Sequence, residues 1–357
     1  MADLLPPDAR SQQRRAFLEG AGFSAATLEA LPMDASRRCY FRLPQAGLLL
    51  MDSPPLEEPI GPFLSVARHL HWLGLSAPKI LVSDPLNGLA LIEDFGQATY
   101  TRLLAAGHAE QPLYELAVDA LAHLHQASNA VAVEVPAYDA PALLAEAALF
   151  IDWYAPLLVG AEATALREPY LQLCGQLADE VAQRRETLVL RDFHVDNLML
   201  LEGREGTAAC GLLDFQDALI GACAYDLMSL LEDARRDVPE ALREHLLSRY
   251  LAQRSDVDAE QFGADYQVLA ALRHAKVAGI FVRLARRDGK QHYLAHLPRV
   301  LGLLDRALQG TALQPLRAFL DRHLSGWQQP LALLEQSRIN PLLQGPADER
   351  VAGARFV

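Results

Sequence analysis

The stretch that most constrains this chain runs from Thr187 to Phe215, TLVLRDFHVDNLMLLEGREGTAACGLLDF. An apolar run leads into Asp192, Asn197 follows five residues later, a second apolar run begins at Leu198, and a third, GLLDF, carries Asp214. Asp and Asn favour hairpin turns, so the Asp192–Asn197 pair taken alone would be ordinary turn chemistry. A second aspartate on a following strand changes that reading, because the spacing Asp-x-x-x-x-Asn, strand, turn, strand, Asp-Phe is what a kinase-type phosphoryl-transfer loop requires. One carboxylate accepts or orients the proton of the acceptor hydroxyl. The Asn and the second carboxylate offer hard oxygen ligands to Mg²⁺ held against nucleotide phosphates.

The rest of the chain frames this insert. Residues 11–30 read as a helix, and CYFRL and GLLLM are two short β-rich runs separated by a Pro-Gln-Ala-Gly turn. Pro62 to Leu73 carries Phe63, Val66, Ala67, Leu70 and Leu73 at helical spacing, and KILVSD and LALIED form a further strand pair across Pro-Leu-Asn-Gly. From about Thr99 long amphipathic helices take over, such as Leu113 to Ala127. The expected fold is α+β and bilobal: a β-rich nucleotide-binding lobe over residues 1–95, a mostly helical catalytic and substrate lobe over 96–345, and a flexible tail over 346–357. The helical run ALLAEAALFIDWYAPLLVGA is broken by Glu146, Asp152 and Pro156, which argues against a membrane span.

With 357 residues and a net charge of −13, the chain lacks the basic balance that phosphate contacts to nucleic acid demand. Its four cysteines stand far apart, without the paired spacing of a zinc site or a disulfide framework, and they read as thiols of a cytoplasmic protein. No signal-peptide pattern opens the sequence. No G-x-S-x-G elbow, G-x-x-x-x-G-K phosphate loop or H-E-x-x-H helix is present. His123 and His125 are two residues apart on a helix and cannot share a face, so they do not form a metal pair.

The insert, together with ACGLLDFQDALIGACAYDLMSLLEDA, resembles the aminoglycoside phosphotransferase and choline kinase superfamily, which has the bilobal protein-kinase-like fold. The resemblance covers about residues 15 to 310. It implies Asp192 as the catalytic aspartate, Asn197 and Asp214 as metal ligands, and Asp226 as a structural aspartate behind the loop; His194, lying between Asp192 and Asn197, is read from its position as bracing the same loop. DASRRCYFRL with MDSPP, and later RHAKVAGIFVRLARRDGKQHYLAHLPRVL, are similar to the cell-wall-recycling kinases that phosphorylate the anomeric hydroxyl of N-acetylmuramate and N-acetylglucosamine. That implies ATP and Mg²⁺ as cofactors and a small amino sugar as partner. The alternatives are a kinase for another small alcohol or an aminoglycoside, a nucleotide-binding pseudokinase and, last, a protein kinase.

Lysine usage sharpens the site. Only Lys79, Lys276 and Lys290 are lysines among 32 basic residues. Typical kinases use a third-strand lysine, paired with a helix glutamate, to hold the α and β phosphates. Here the third-strand position carries Leu50, Met51 and Asp52, and the helix from Pro62 to Leu73 has no glutamate. Arg37 and Arg38, with backbone around Ala35 and Ser36, are the expected substitutes. LALIEDFGQ resembles the hinge strand, where backbone groups of Glu93 and Phe95 would meet the adenine, Ile92 and Leu81 would wall it, and the Glu93 and Asp94 side chains would be exposed. For the acceptor, Arg273, Lys276 and Arg283 form a cationic stripe at helical spacing suited to a lactyl carboxylate. Gly279 beside them marks a close approach, and Asp217 is a second sugar-hydroxyl candidate.

Overall fold

In a computed structural model that describes residues 7–32 and 37–329, the first hundred residues form a five-stranded antiparallel sheet. Its strands are β1 (Glu29–Ala30), β2 (Cys39–Leu43), β3 (Leu48–Asp52), β4 (Ile80–Asp84) and β5 (Leu89–Glu93), in the order β1-β2-β3-β5-β4. The turns are set by glycines with positive φ, Gly47 at +64° and Gly88 at +65°. Gly88 is doubly constrained, since a Cβ there would lie 1.9 Å from the Ser53 carbonyl oxygen. Leu43, Leu48, Leu50, Leu89 and Leu91 of this sheet make one buried cluster with Leu18. Helix α1 (Pro7–Gly20) stops ten residues short of the expected end at residue 30. The chain turns at Gly22 with φ +86°, the Phe23 N–H bonds the Leu18 carbonyl at 2.7 Å, and residues 29–30 pair instead as the edge strand β1. Helix α2 (Gly61–Trp72) buries Phe63, Leu64, Val66, Ala67 and Leu70, and α3 (Tyr100–Ala105) and α4 (Glu110–Gln126) follow.

The described chain divides into two compact units, one of residues up to Val135 with Val195–Ala218, the other of Pro136–His194 with Leu219 onward. The first unit thus extends beyond residue 95, where the sequence puts the lobe boundary. The proposed tail, 346–357, lies outside the described residues.

The second unit is helical: α5 (Ala140–Leu149), a π turn over Phe150–Tyr154, α6 (Pro156–Val159), α7 (Ala163–Ala178), α8 (Ala224–Leu231), α9 (Glu240–Gln253), α10 (Ala259–Arg287), α11 (Leu297–Ala307) and α12 (Gln314–His323). By length and composition alone, the apolar stretch Ala140–Ala178 could cross a membrane, but 56% of its most apolar window is buried within the structure. Gly279 explains itself here. A Cβ on it would stand 2.1 Å from the Leu149 carbonyl oxygen, so the close approach read from sequence is the backbone of α5 against α10, not a ligand.

The functional insert contributes β6 (Thr187–Val189), β7 (Leu198–Leu200), β8 (Cys210–Leu212) and β9 (Leu219–Gly221). Strands β6 and β9 pair in the second unit, while β7 and β8 form an antiparallel hairpin in the first. Strand β7 starts at Leu198, where the sequence places it.

Candidate active site

In the second unit, the carboxylate of Asp226, 1% exposed at the start of α8, accepts the N–H groups of Leu190 (2.6 Å) and Arg191 (2.9 Å). Burial pushes its carboxyl up to about 7 against the pull of those two bonds. This clasp fixes the end of β6, so the next residue, Asp192, is presented from a held backbone. Arg191 has φ +69°, a left-handed conformation rare for a residue with a side chain, and its guanidinium pairs with the buried Glu146 of α5. Lys276 of α10 reaches the same Glu146 oxygen at 2.9 Å, and the Tyr138 hydroxyl donates to the other. Arg273 donates from Nη2 to Ser229 Oγ at 2.7 Å. Burial alone would raise the Asp192 carboxyl, but Lys276, Arg191, His194 and Arg273 together hold it below its ordinary value. His194 is itself buried.

The lysine and arginines of α10 therefore do not form a solvent-facing stripe. Arg273, Lys276 and Arg283 are all buried, and Lys276 is committed to Glu146. Burial, followed by the like charge of Arg287, lowers the Arg283 guanidinium from its ordinary range.

In the first unit, Asn197 precedes β7 and its carbonyl accepts the Leu213 N–H at 2.9 Å. Its side-chain amide lies 3.4 Å from Asp214 Oδ2, so carboxamide and carboxylate converge. Asp214 has φ +58° and is steadied by Gln216, whose amide donates to Asp214 Oδ1 at 2.8 Å and to Asp217 Oδ2 at 3.4 Å. The next residue, Phe215, is fully buried with its ring stacked on Phe63 at 5.3 Å. An aromatic anchor immediately after the aspartate fixes where its carboxylate points.

The two arginines expected at the phosphates behave differently. Arg37 is 69% exposed and pairs with Glu57 at 3.0 Å. Arg38 is buried, its Nη2 3.7 Å from Glu58 and its Nε 3.5 Å from Ser53 Oγ. Burial lowers the Arg38 guanidinium, and Tyr40, Glu58 and Asp214 more than offset that, leaving it raised. Glu58 was missed in the sequence because it lies in the turn before α2, not on that helix. Asp52, at the third-strand position, is spoken for: Arg10 and Arg14 of α1 both pair with it. Ser36 and Ala35 lie outside the described residues.

At the hinge strand, the expected exposure of the Glu93 and Asp94 side chains is overturned. Glu93 pairs with Arg204, whose guanidinium also lies 5.2 Å over the Phe95 ring, and Asp94 pairs with Arg42. The Glu93 N–H is taken by the Lys79 carbonyl at 2.8 Å. Ile92 is buried, whereas an irregularity between Ile80 and Val82 leaves Leu81 51% exposed. His123 bonds the Leu73 carbonyl at 2.7 Å, a packing role. Cys174, Cys210 and Cys223 are buried thiols pushed up to about 12 by burial.

A small antiparallel sheet, a mostly helical second unit, and an Asp loop followed by an Asn–Asp pair on a hairpin define a kinase-like phosphotransferase. The chain belongs to the phosphotransferase enzyme family, matching it over residues 27–272. It is 35% identical over 352 residues to the N-acetylmuramate/N-acetylglucosamine kinase of Caulobacter vibrioides, covering 88% of this chain and 97% of that protein. It is 36% identical to the kinase of the same name from Pseudomonas aeruginosa, covering 84% of this chain and 93% of that one. Among solved structures, a choline/ethanolamine kinase family protein from Mesorhizobium loti superposes with a TM-score of 0.59 at 16% identity, covering 89% of this chain and 99% of its own. An ADP-bound aminoglycoside phosphotransferase superposes with a TM-score of 0.55 at 14% identity, covering 82% and 98%. These two likenesses speak to the protein-kinase-like fold.

Proposed function

We propose that the chain is an ATP-dependent kinase that phosphorylates the anomeric hydroxyl of N-acetylmuramate and N-acetylglucosamine. The observation that carries this is the likeness, at 33–36% identity over 80–88% of the chain, to four kinases of that name. Asp192, held ionised among cations, orients the anomeric hydroxyl and takes its proton as the oxygen attacks the γ-phosphorus and the bond to the β–γ bridging oxygen breaks, releasing ADP. An anomeric hydroxyl is more acidic than an ordinary alcohol, so a weakly basic carboxylate suffices. Asn197 and Asp214 offer a carboxamide oxygen and a carboxylate, a donor set that would suit Mg²⁺. Mg²⁺ held there would supply positive charge to the phosphate oxygens. In this reading Asp226 and His194 support the loop, the Glu93 carbonyl and the Phe95 backbone meet the adenine edge, and the half-buried Asp217 meets a sugar hydroxyl.

The test is ATP consumption and product identification across N-acetylmuramate, N-acetylglucosamine, glucose, kanamycin and the 1-O-methyl glycoside of N-acetylglucosamine. The expected result is a sugar 1-phosphate from the first two and no product from the blocked glycoside. Phosphorylation of kanamycin in preference to both, or of the blocked glycoside, overturns the assignment, and ATP binding without turnover on any acceptor would mark a scaffold.

In this reading the Arg38–Glu58 pair, a buried cation beside a half-buried carboxylate, takes the place of the missing lysine and glutamate. Arg38→Ala is expected to weaken MgATP binding at least about tenfold in titration calorimetry, the loss of one charge-assisted contact. Arg37→Ala, removing an exposed pair, should stay within about twofold. Equal effects of the two would remove Arg38 from the phosphate site.

A further inference from the structure

Glu146 sits on α5 within an otherwise apolar run, 4% exposed, with two cations and a phenol on one carboxylate. The cations come from unrelated places in the sequence: Arg191 from the loop after β6 and Lys276 from the middle of α10. A buried acid could be satisfied by one of them. Both cations also act electrostatically on Asp192, beside Arg273 and His194. Glu146 and Asp192 thus draw on the same two cations, and losing Glu146 would leave both cations without their hydrogen-bonded carboxylate.

The backbone makes the same connection. Arg191 holds a left-handed φ of +69° immediately before Asp192, a conformation a glycine would adopt without strain. Its two ends are tied separately, the N–H to Asp226 and the guanidinium to Glu146, while its carbonyl lies 3.5 Å from Ser229 Oγ. The direction in which Asp192 leaves the chain is set by these ties.

We propose that Glu146 is a positioning residue for Asp192, acting through Arg191 and Lys276. This rests on the reading of Asp192 as the catalytic base. It also assigns Lys276 to the support of that base in place of the sugar carboxylate.

The test compares Glu146→Gln, Glu146→Asp, Arg191→Gly and Asp192→Asn in the full chain. It measures kcat and KM with N-acetylglucosamine, MgATP affinity by calorimetry, and melting temperature. Glu146→Gln is isosteric and keeps an acceptor for Tyr138 but strands two cations; its kcat should fall at least thirtyfold while MgATP affinity stays within threefold. Glu146→Asp should recover part of that loss. Arg191→Gly relieves the backbone yet removes the tie, and its kcat should fall at least tenfold in a protein that melts normally. If Glu146→Gln does not fold, Arg191→Gly decides. The proposal is overturned if the folded variants retain kcat within threefold of the parent, or if MgATP affinity falls as far as kcat. Should Asp192→Asn be inactive while Glu146→Gln and Arg191→Gly are near normal, only the positioning role fails. Should Asp192→Asn itself turn over normally, the assignment of the base fails with it.

Discussion

Asp192→Asn is expected to lower kcat by roughly 10²- to 10⁴-fold, the range a positioned general base contributes, while MgATP still binds. The amide keeps the size and a hydrogen-bonding oxygen but can no longer take a proton. The substitution has a second consequence through linkage. The Asp192 carboxyl is held below its unfolded value of 3.8 by Lys276, Arg191, His194 and Arg273, against a burial effect that would raise it. A depressed carboxyl contributes stability that is present above the unfolded pKa and lost as pH falls through the folded one. Asp192→Asn should therefore be less stable than the parent near neutral pH, with the gap closing below about pH 4. Calorimetric melting across pH 3 to 7, beside single-turnover kinetics, checks both halves. Wild-type turnover with a well-formed melting transition would dismiss Asp192 as the base.

Asp214→Asn is expected to cost a comparable amount, roughly 10²- to 10⁴-fold in kcat, since charge stabilisation by a metal is worth several kcal/mol and each 1.4 kcal/mol is tenfold. Asn is the suitable replacement because Asp214 sits at φ +58°, which Asn tolerates better than most residues, and because the stacked Phe215 still anchors the turn. Its signature differs from that of Asp192→Asn. The Mg²⁺ concentration needed for half-maximal turnover should rise at least about tenfold, and the binding advantage of MgATP over metal-free ATP should shrink. An unaltered Mg²⁺ titration curve would take Asp214 out of the metal site.

Local signals carried much of this fold and site. The β2–β3 and β4–β5 hairpins were legible because each has a Pro-x-x-Gly turn between β-rich runs, and the approach of Asn197 to Asp214 was legible because the two flank one hairpin, β7–β8. The end of α1 was not, because helical spacing continues past Gly20 and a two-residue edge strand leaves no periodicity to read. The greater gap lies in long-range ion pairs. Nothing near Asp52 announces Arg10 and Arg14, and nothing near Lys276 announces a partner 130 residues away. Glu146 was noticed only as a break in an apolar helix. That isolation is itself the trace of its role, since a lone acid in such a run must find cations from elsewhere in the chain.

The burial of Lys276 has a practical reading in protein chemistry. With that amine closed off against Glu146, the one exposed lysine side chain is Lys79, in the first compact unit, while Lys290 in the second is half-buried. Among the lysines, an acylating reagent should therefore tag Lys79 first. Nucleotide probes that work by acylating a lysine beside the phosphates would pass it by. A kinase that answers to its substrates but not to such probes would be easily overlooked in chemical surveys of nucleotide-binding proteins.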